Sequence, residues 1–222
     1  MRAVLFDFDG TLADTAPDLG YALNLQRQRH GLSPLPDEEI RPYASHGTRG
    51  LLKVGFNLTP DDAAFGDMRQ EYLALYDEVF CHQPALFAGI AELLETLENM
   101  DVLWGIVTNK PSRFTVPMVE KLGLNLRAAC VVSGDDCPRP KPHPDTLLLA
   151  AQKTGIAPVE TIYVGDAERD ISAGHAAGMG TIVACYGYLS ADDRPETWGA
   201  DGMIDMPSQL LPLLGRFVTA AQ

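Results

Sequence analysis

The feature that most constrains the fold of this chain is an alternation of strand-like and helix-like patterns from residue 89 onward. Short apolar segments of strand character are separated there by segments with the 3.6-residue period of amphipathic helices. The predicted strands cover residues 102–108, 129–133, 161–165, 181–185 and 203–205. The predicted helices cover residues 90–100, 112–122, 145–154, 170–177 and 207–217. Such alternation predicts a parallel sheet that is covered by helices on both faces.

One more strand is predicted at the start of the chain, far from the others. Residues 4–6 are a short apolar run, whereas residues 16–83 show helical spacing only, and no strand is expected between residues 14 and 87. We therefore predict an α/β fold with a Rossmann-like parallel-sheet core, formed by residues 1–15 and 84–222. An all-helical cap, residues 16–83, is inserted after the first strand of this core.

The first helix of the cap has a clear start signal. Thr15 is a suitable N-cap, Pro17 suits the first turn, and Asp18 occupies the third position of a capping box. The sequence thus predicts a helix that is capped by Thr15 and ends near Arg29, before Gly31.

Composition narrows the class of protein. The 222 residues are 46% hydrophobic and 21% charged, as in a soluble globular protein, and they suffice to bury a full core. A net charge of −13 disfavours nucleic acids and anionic membranes as partners. The four cysteines have neither CxxC nor zinc-like spacing, which favours reduced thiols. Because the sequence shows no apolar leader and no membrane-length run, we expect a cytoplasmic protein.

Several polar residues stand at the ends of predicted strands or just before helices. They are Asp7, Asp9, Thr108, Asn109, Lys141, Asp166 and Asp170. Ligands of open α/β sheets bind beyond the carboxyl ends of the strands, so parallel strands would bring these groups to one edge. Two carboxylates one residue apart, Asp7 and Asp9, need a cation or a shared proton. Mg²⁺, which binds one or two carboxylates together with phosphate oxygens, is the cation that this set favours.

Taken one at a time, most of these residues also have a purely structural explanation. Thr108 and Asn109 fit an ordinary turn after a strand, and Lys141 fits a solvated surface lysine. Asp170 fits a helix N-terminus, where the helix dipole favours a negative charge. Such an explanation is harder to give for the carboxylates that follow apolar strands, which are Asp7, Asp9 and Asp166.

The order and spacing of four motifs resemble those of the haloacid dehalogenase superfamily, in its phosphatase branch. The motifs are Asp7-Phe8-Asp9-Gly10-Thr11, Thr108-Asn109, Lys141 and Gly165-Asp166-Ala167-Glu168-Arg169-Asp170. They span the predicted core, and the helical insertion is similar to the small cap of that family. Segments 107–111, 141–144 and 186–188 resemble bacterial phosphoglycolate phosphatases. Segments 103–105 and 198–201 resemble N-acetylmuramic acid 6-phosphate phosphatases.

The resemblance implies a phosphatase reaction that uses Mg²⁺. Asp7 is the implied nucleophile, which forms an aspartyl-phosphate, and Asp9 is the implied general acid and then general base. The implied metal ligands are Asp7, the backbone carbonyl of Asp9, and Asp166. Asp170 is implied to orient a metal-bound water.

The resemblance also implies which residues bind the substrate. Lys141 would offset the charge of the nucleophile and the phosphoryl group, Thr108 would donate a hydrogen bond to that group, and Asn109 would contribute to the phosphate cradle. In the cap, the polar segment 45–50 offers His46 and Arg49 for the rest of the substrate. Two further cations are candidates for the same role, Arg41 and Lys110.

Two classes of small phosphate monoester stay open as substrates. Phosphoglycolate is the first candidate, and N-acetylmuramic acid 6-phosphate or another sugar phosphate is the alternative. A phosphomutase and a non-catalytic sugar-phosphate sensor are more distant alternatives, and an acid at position 9 disfavours a dehalogenase. We expect the partner to be a small phosphorylated metabolite and the protein to be a monomer or a homodimer.

Overall fold

The computed structural model describes residues 1–219. Its strands, in chain order, are β1 (Ala3–Phe6), β2 (Ala13–Asp14), β3 (Ala85–Leu86), β4 (Leu103–Val107), β5 (Cys130–Val132), β6 (Thr161–Gly165), β7 (Gly180–Ala184) and β8 (Gly202–Ile204). Six of them form one sheet in the order β5-β4-β1-β6-β7-β8, with all neighbours parallel. The predicted Rossmann-like α/β core is confirmed.

The helices divide into two groups. In chain order they are α1 (Ala16–Arg29), α2 (Asp37–Ile40), α3 (Gly47–Phe56), α4 (Phe65–Val79), α5 (Ile90–Asn99), α6 (Ser112–Lys121), α7 (Asp145–Thr154), α8 (Glu168–Ala177) and α9 (Leu210–Thr219). Helices α1–α4 follow one another along the chain, whereas α5–α8 alternate with strands of the sheet and α9 follows its last strand, β8. None of the helices in residues 1–219 has the length and hydrophobicity that crossing a membrane requires.

The central strands are buried on both faces, as their continuous apolar runs predict. Side chains alternate between the faces, so Val4 and Phe6 join one apolar cluster and Leu5 joins another. The same alternation places Tyr163 beside Leu5, in register on the neighbouring strand. Asp7, two residues after Leu5, therefore projects from β1 toward the face on which Tyr163 lies.

Helices α1–α4 surround an apolar cluster of their own, built around side chains such as Leu23, Leu52 and Tyr72. The two linkers that join this helical group to the core pair with each other, because β2 and β3 form a short antiparallel ladder. The expectation of no strand between residues 14 and 87 is therefore wrong at β3. Two residues are too few to show the alternation that identifies a strand. The division at residues 15/16 and 83/84 stays a prediction.

The predicted start and end of α1 are confirmed, with Thr15 at the N-cap position and the helix ending at Arg29, but the predicted capping bonds are wrong. Thr15 makes no capping bond with its own helix, and its hydroxyl donates to Asp9 Oδ1 instead. Asp18 accepts a hydrogen bond from the backbone N–H of His82 at 3.0 Å, which fastens the end of the cap to its beginning. The backbone N–H groups of Thr15, just before α1, and of Ala16, its first residue, donate to the hydroxyl of Tyr188 in the core.

Candidate active site

The centre of the site is a buried lysine between two carboxylates. Lys141 Nζ lies 2.9 Å from Asp7 Oδ1 and 2.7 Å from Asp170 Oδ1. It also donates to Tyr163 Oη at 2.6 Å and to the carbonyl oxygen of Val107 at 3.1 Å. The Lys141 side chain is 0% exposed. Since unpaired charges are costly to bury, these groups hold one another in place.

A third carboxylate completes the cluster. One oxygen each of Asp7, Asp166 and Asp170 lies within 4.8 Å of the other two, and all three residues are buried. Asp166 Oδ1 accepts from Ser45 Oγ of the cap, and Oδ2 accepts from the backbone N–H of Tyr188, both at 2.9 Å. The edge of the sheet thus carries three carboxylates, and one of them, Asp166, accepts a hydrogen bond from a cap hydroxyl.

The electrostatics of the cluster favour a bound cation. Burial raises the pKa of Asp166 to about 7, and the charges of Asp7 and Asp170 add to that shift. Burial likewise raises the pKa of Asp7, although the ammonium group of Lys141 opposes the effect. Full ionisation of the three carboxylates is therefore unfavourable unless a further cation binds among them.

Glycine at position 10 is required for this arrangement. Gly10 has φ of +82°, and a Cβ there would lie 2.1 Å from Asp166 Oδ2. A Cβ on Gly187 would lie 2.4 Å from Cβ of the same aspartate. The backbone therefore approaches Asp166 closely from two loops, which fixes the position of its carboxylate.

Asp9 lies at the boundary between the core and the cap. Its Oδ1 accepts from Thr15 Oγ1 and from Lys110 Nζ, the latter at 3.0 Å. Lys110 also donates to the hydroxyl of Tyr76, on α4, at 3.1 Å. Burial alone would lower the pKa of Lys110, but the charge of Asp9, together with Tyr76 and the hydrogen bonds to both residues, outweighs burial and raises that pKa above its ordinary value. A buried cation therefore stands on the cap side of the predicted acid.

Thr108 and Asn109 stand at the end of β4, at the same edge of the sheet. Thr108 is buried, and its Oγ1 accepts from the backbone N–H of Lys110 at 3.1 Å. Asn109 forms two hydrogen bonds of 2.9 Å with the backbone of Lys141, donating to its carbonyl oxygen and accepting from its N–H. The Asn109 side chain thus positions the loop that contains Lys141 and is occupied by these two bonds. The predicted contact with phosphate therefore falls to the backbone N–H of Asn109.

The two predicted cap residues lie in different environments. His46 lines a cavity of about 230 Å³ beside Asp166 and Arg169, and burial and the charge of Arg169 lower its pKa. Both His46 and Arg49 are exposed, but Arg49, on α3, is not among the residues that line this cavity. The structure therefore brings His46, but not Arg49, to the site.

Arg41 lies at the junction of the two parts of the protein. Its Nη2 is 3.0 Å from Asp14 Oδ2, at the end of β2, and its guanidinium lies over the ring of Tyr188. In this conformation the guanidinium group of Arg41 contacts other residues of the protein at the junction, and the predicted role in substrate binding stays a prediction.

Three further residues contribute to the site, and the sequence analysis assigned them no role. Arg169 donates to the backbone carbonyl and the hydroxyl of Ser45, so it joins the core to the cap. Because Arg169 lies between Asp166 and Asp170 in the sequence, its proximity to the site could have been predicted. Tyr163 was identifiable as the polar side chain within an apolar strand. Tyr76 has no comparable signal in the sequence, because it occupies an apolar position of the helical repeat in the cap and so looks like an ordinary core residue.

Comparisons with known proteins agree with this geometry. Residues 4–184 match the family model described as haloacid dehalogenase-like hydrolase. The chain is 40% identical over 216 residues to a protein of Pseudomonas aeruginosa named N-acetylmuramic acid 6-phosphate phosphatase, covering 97% of this chain and 96% of that protein. It is 42% identical over 209 residues to one of Xanthomonas campestris named phosphoglycolate phosphatase, covering 94% of each.

Solved structures show the same fold. A crystal structure described as a predicted phosphoglycolate phosphatase from Haemophilus somnus superposes with a TM-score of 0.81 at 25% identity, covering 96% of this chain and 97% of that one. A hydrolase of the haloacid dehalogenase-like family from Streptococcus pneumoniae superposes with a TM-score of 0.82 at 22% identity, covering 96% and 98%. The core and the helical insertion therefore occur together in solved proteins.

Proposed function

This chain belongs to the haloacid dehalogenase-like hydrolase family and is a phosphoric monoester hydrolase, and we propose that it cleaves small phosphate monoesters with Mg²⁺ through an aspartyl-phosphate on Asp7. The buried pairing of Asp7 with Lys141 at the end of β1 carries this proposal. Asp7 Oδ1 accepts from the backbone N–H of Phe8 at 2.8 Å and contacts Lys141 Nζ. Within residues 1–219 no group donates to Oδ2, so this oxygen is available to attack phosphorus.

The proposed reaction has two steps. In the first, Asp7 Oδ2 bonds to phosphorus, the bond from phosphorus to the ester oxygen breaks, and protonated Asp9 gives its proton to the leaving oxygen. In the second, a water oxygen bonds to phosphorus and its proton passes to Asp9. The bond between phosphorus and Asp7 then breaks, and inorganic phosphate leaves. Lys141 compensates negative charge in both steps.

The donor set of the cluster fits a magnesium ion. Within residues 1–219, three buried carboxylates face two cations, buried Lys141 and half-buried Arg169, and hard cations prefer oxygen ligands. We propose Asp7, Asp166 and the backbone carbonyl of Asp9 as the ligands. When bound, Mg²⁺ would neutralise charge on the phosphoryl group.

Asp170 is proposed to act on the ion indirectly. Its Oδ1 contacts Lys141 at 2.7 Å, and its Oδ2 accepts from the backbone N–H of Ala167 at 3.0 Å. One Asp170 oxygen is thus paired with a cation and the other holds the start of α8, whereas both partners of Asp166 are neutral donors. We therefore keep for Asp170 the predicted role of orienting a water.

We propose phosphoglycolate as the leading substrate and N-acetylmuramic acid 6-phosphate as the second candidate. Both names occur among relatives at 40% identity or above. Both leaving groups are organic acids, and Lys110 lies buried beside Asp9, where the leaving group would stand. A carboxylate of the substrate would take Lys110 as its partner, which would release Asp9 for proton transfer.

The reaction is tested by release of inorganic phosphate from both candidates, with Mg²⁺ and with a chelator. Hydrolysis that depends on Mg²⁺ and is lost in Asp7→Asn supports the proposal, whereas retained activity in Asp7→Asn refutes it. A phosphomutase would rearrange a sugar phosphate without releasing inorganic phosphate. The ratio of kcat/KM for the two candidates decides between them.

The role of Lys110 is tested by comparing phosphoglycolate with its neutral analogue, 2-hydroxyethyl phosphate. Loss of a charged hydrogen bond costs about 1.5–3 kcal/mol, so Lys110→Met should lower the preference for the acid by about 10- to 160-fold. Lys110→Arg, which keeps the charge, is the matched control and should retain most of the preference. Equal losses for the two esters in Lys110→Met would exclude recognition of a carboxylate by Lys110.

A further inference from the structure

Tyr188 connects the active site to the junction between the core and the cap. It lies in the loop after β7 and is 2% exposed. Its backbone N–H donates to Asp166 Oδ2 at 2.9 Å, while its hydroxyl reaches the linker that enters α1. A single residue thus contacts both a carboxylate of the cluster and the start of the cap.

The Tyr188 hydroxyl uses its full hydrogen-bonding capacity at that junction. It donates to Asp14 Oδ1 at 2.9 Å and accepts from the backbone N–H groups of Thr15 at 2.7 Å and Ala16 at 2.9 Å. A phenolic oxygen has one donor and two acceptor positions, so none is left unused. The two amides belong to the N-terminus of α1, where N–H groups have no partner within the helix. The first helix of the cap therefore begins on a side chain of the core.

The ring of Tyr188 contacts the remaining parts of the same junction. The guanidinium carbon of Arg41, from the cap, lies 5.1 Å from the ring centre, and Arg41 also pairs with Asp14. The ring of Phe87, which directly follows β3 in the second linker, lies 5.9 Å from that of Tyr188. Both linkers and one cap cation therefore meet at Tyr188.

We propose that Tyr188 is a positioning residue that couples the position of the cap to the position of Asp166. A shift of the cap relative to the core moves the partners of the hydroxyl, and the backbone N–H of the same residue transmits that shift to Asp166 Oδ2. The coupling to Mg²⁺ rests on the proposed function, because it needs Asp166 to bind the ion. Linkage requires the effect to be mutual, so Mg²⁺ should favour the cap position seen here as much as that position favours Mg²⁺.

The variant that tests the coupling is Tyr188→Phe, which keeps the ring and the backbone N–H but removes the hydroxyl. Its matched control is Tyr186→Phe in the same loop. The Tyr186 ring also packs on Phe87, at 5.4 Å, but its hydroxyl donates to the carbonyl of Thr11 in the core. Two readouts need no turnover, namely amide hydrogen exchange in the two linkers and Mg²⁺ affinity of the free protein by calorimetry.

We expect Tyr188→Phe to accelerate exchange at residues 14–16 and 80–87 and to weaken Mg²⁺ binding by about 5- to 150-fold, the usual range of coupling between sites. Tyr186→Phe should change neither. Faster exchange with unchanged Mg²⁺ affinity would overturn the coupling, as would wild-type behaviour in both readouts. If the wild-type protein itself binds no Mg²⁺, the proposed function fails, while exchange in the linkers still reports on the contacts of Tyr188.

A second variant serves if Tyr188→Phe does not fold. Arg41→Met removes the cation from the outer side of the same junction, where the Arg41 side chain is 38% exposed and truncation is tolerated more easily. The coupling predicts faster exchange in both linkers and weaker Mg²⁺ binding for this variant too. Unchanged exchange and affinity in Arg41→Met would overturn it.

Discussion

Replacing Asp166 by asparagine should stabilise the protein in the absence of metal while abolishing its affinity for Mg²⁺. The side chain is buried beside two other carboxylates, so its negative charge is unfavourable unless a cation is bound. Asparagine has the same shape and can keep both contacts, accepting from the backbone N–H of Tyr188 and donating to Ser45 Oγ. The substitution therefore removes the charge and little else.

The magnitude follows from the pKa of Asp166, which rises from 3.8 to about 7 on folding. At about 1.4 kcal/mol per pKa unit, this difference corresponds to about 4 kcal/mol. The folded state binds the proton more tightly than the unfolded state, so the metal-free protein loses stability as the pH rises from about 4 to about 7. Below that window the carboxyl is neutral in both states and the penalty is absent.

The assay is chemical unfolding in a chelator at about pH 4.5 and pH 8, with wild type and Asp166→Asn compared at each pH. The variant should gain up to about 4 kcal/mol over wild type at pH 8 and much less at pH 4.5. Added Mg²⁺ should stabilise wild type at pH 8 and leave the variant unchanged. A variant that is less stable than wild type at pH 8 without metal would refute the reasoning, as would a difference that does not depend on pH.

Three other substitutions have definite expected results. Lys141→Met leaves two carboxylates buried without their cation, so the free energy of unfolding in urea should fall by about 3–5 kcal/mol and turnover should cease; an unchanged urea midpoint would contradict this. Gly10→Ala places a methyl group 2.1 Å from Asp166 Oδ2 at φ of +82°, so calorimetry should show weaker Mg²⁺ binding while circular dichroism keeps the wild-type helix content. Asn109→Ala removes two hydrogen bonds to the Lys141 loop and should lower kcat about tenfold with little change in KM, whereas a rise in KM alone would indicate direct binding of substrate by the side chain.

The sequence predicted the core well because its strands are buried on both faces. Residues 161–165 form an uninterrupted buried run, and the predicted strand has the same bounds as β6. Parallel pairing of β1 with β4 and β6 then brings the residues that follow these strands to one edge. Local pattern and topology together were enough to place Asp7, Thr108 and Asp166 near one another.

The cap and its junction were less predictable because they depend on contacts between distant parts of the chain. Thr15 is a residue type typical of an N-cap. Its backbone N–H, however, donates to the hydroxyl of Tyr188, which is 173 residues away in the sequence. The hydroxyl of Thr15 is taken by Asp9 instead. Arg49 and His46 look equally suitable in the sequence, and only their positions in the folded protein separate them, since His46 precedes α3 and lines the cavity whereas Arg49 lies within α3 and does not. Neither the partners of Thr15 nor the difference between His46 and Arg49 can be predicted from the neighbouring residues in the sequence.

The central claim, transfer of the phosphoryl group to Asp7, is tested most directly by trapping the enzyme during turnover. Asp9→Asn should still react with p-nitrophenyl phosphate, whose leaving group needs little protonation, but should lack the base for the second step. After an acid quench, intact-protein mass spectrometry should show one added phosphoryl group, and peptide mapping should place it on Asp7. A phosphoryl group on another residue, or no adduct in Asp9→Asn while it still releases p-nitrophenol, would contradict the account.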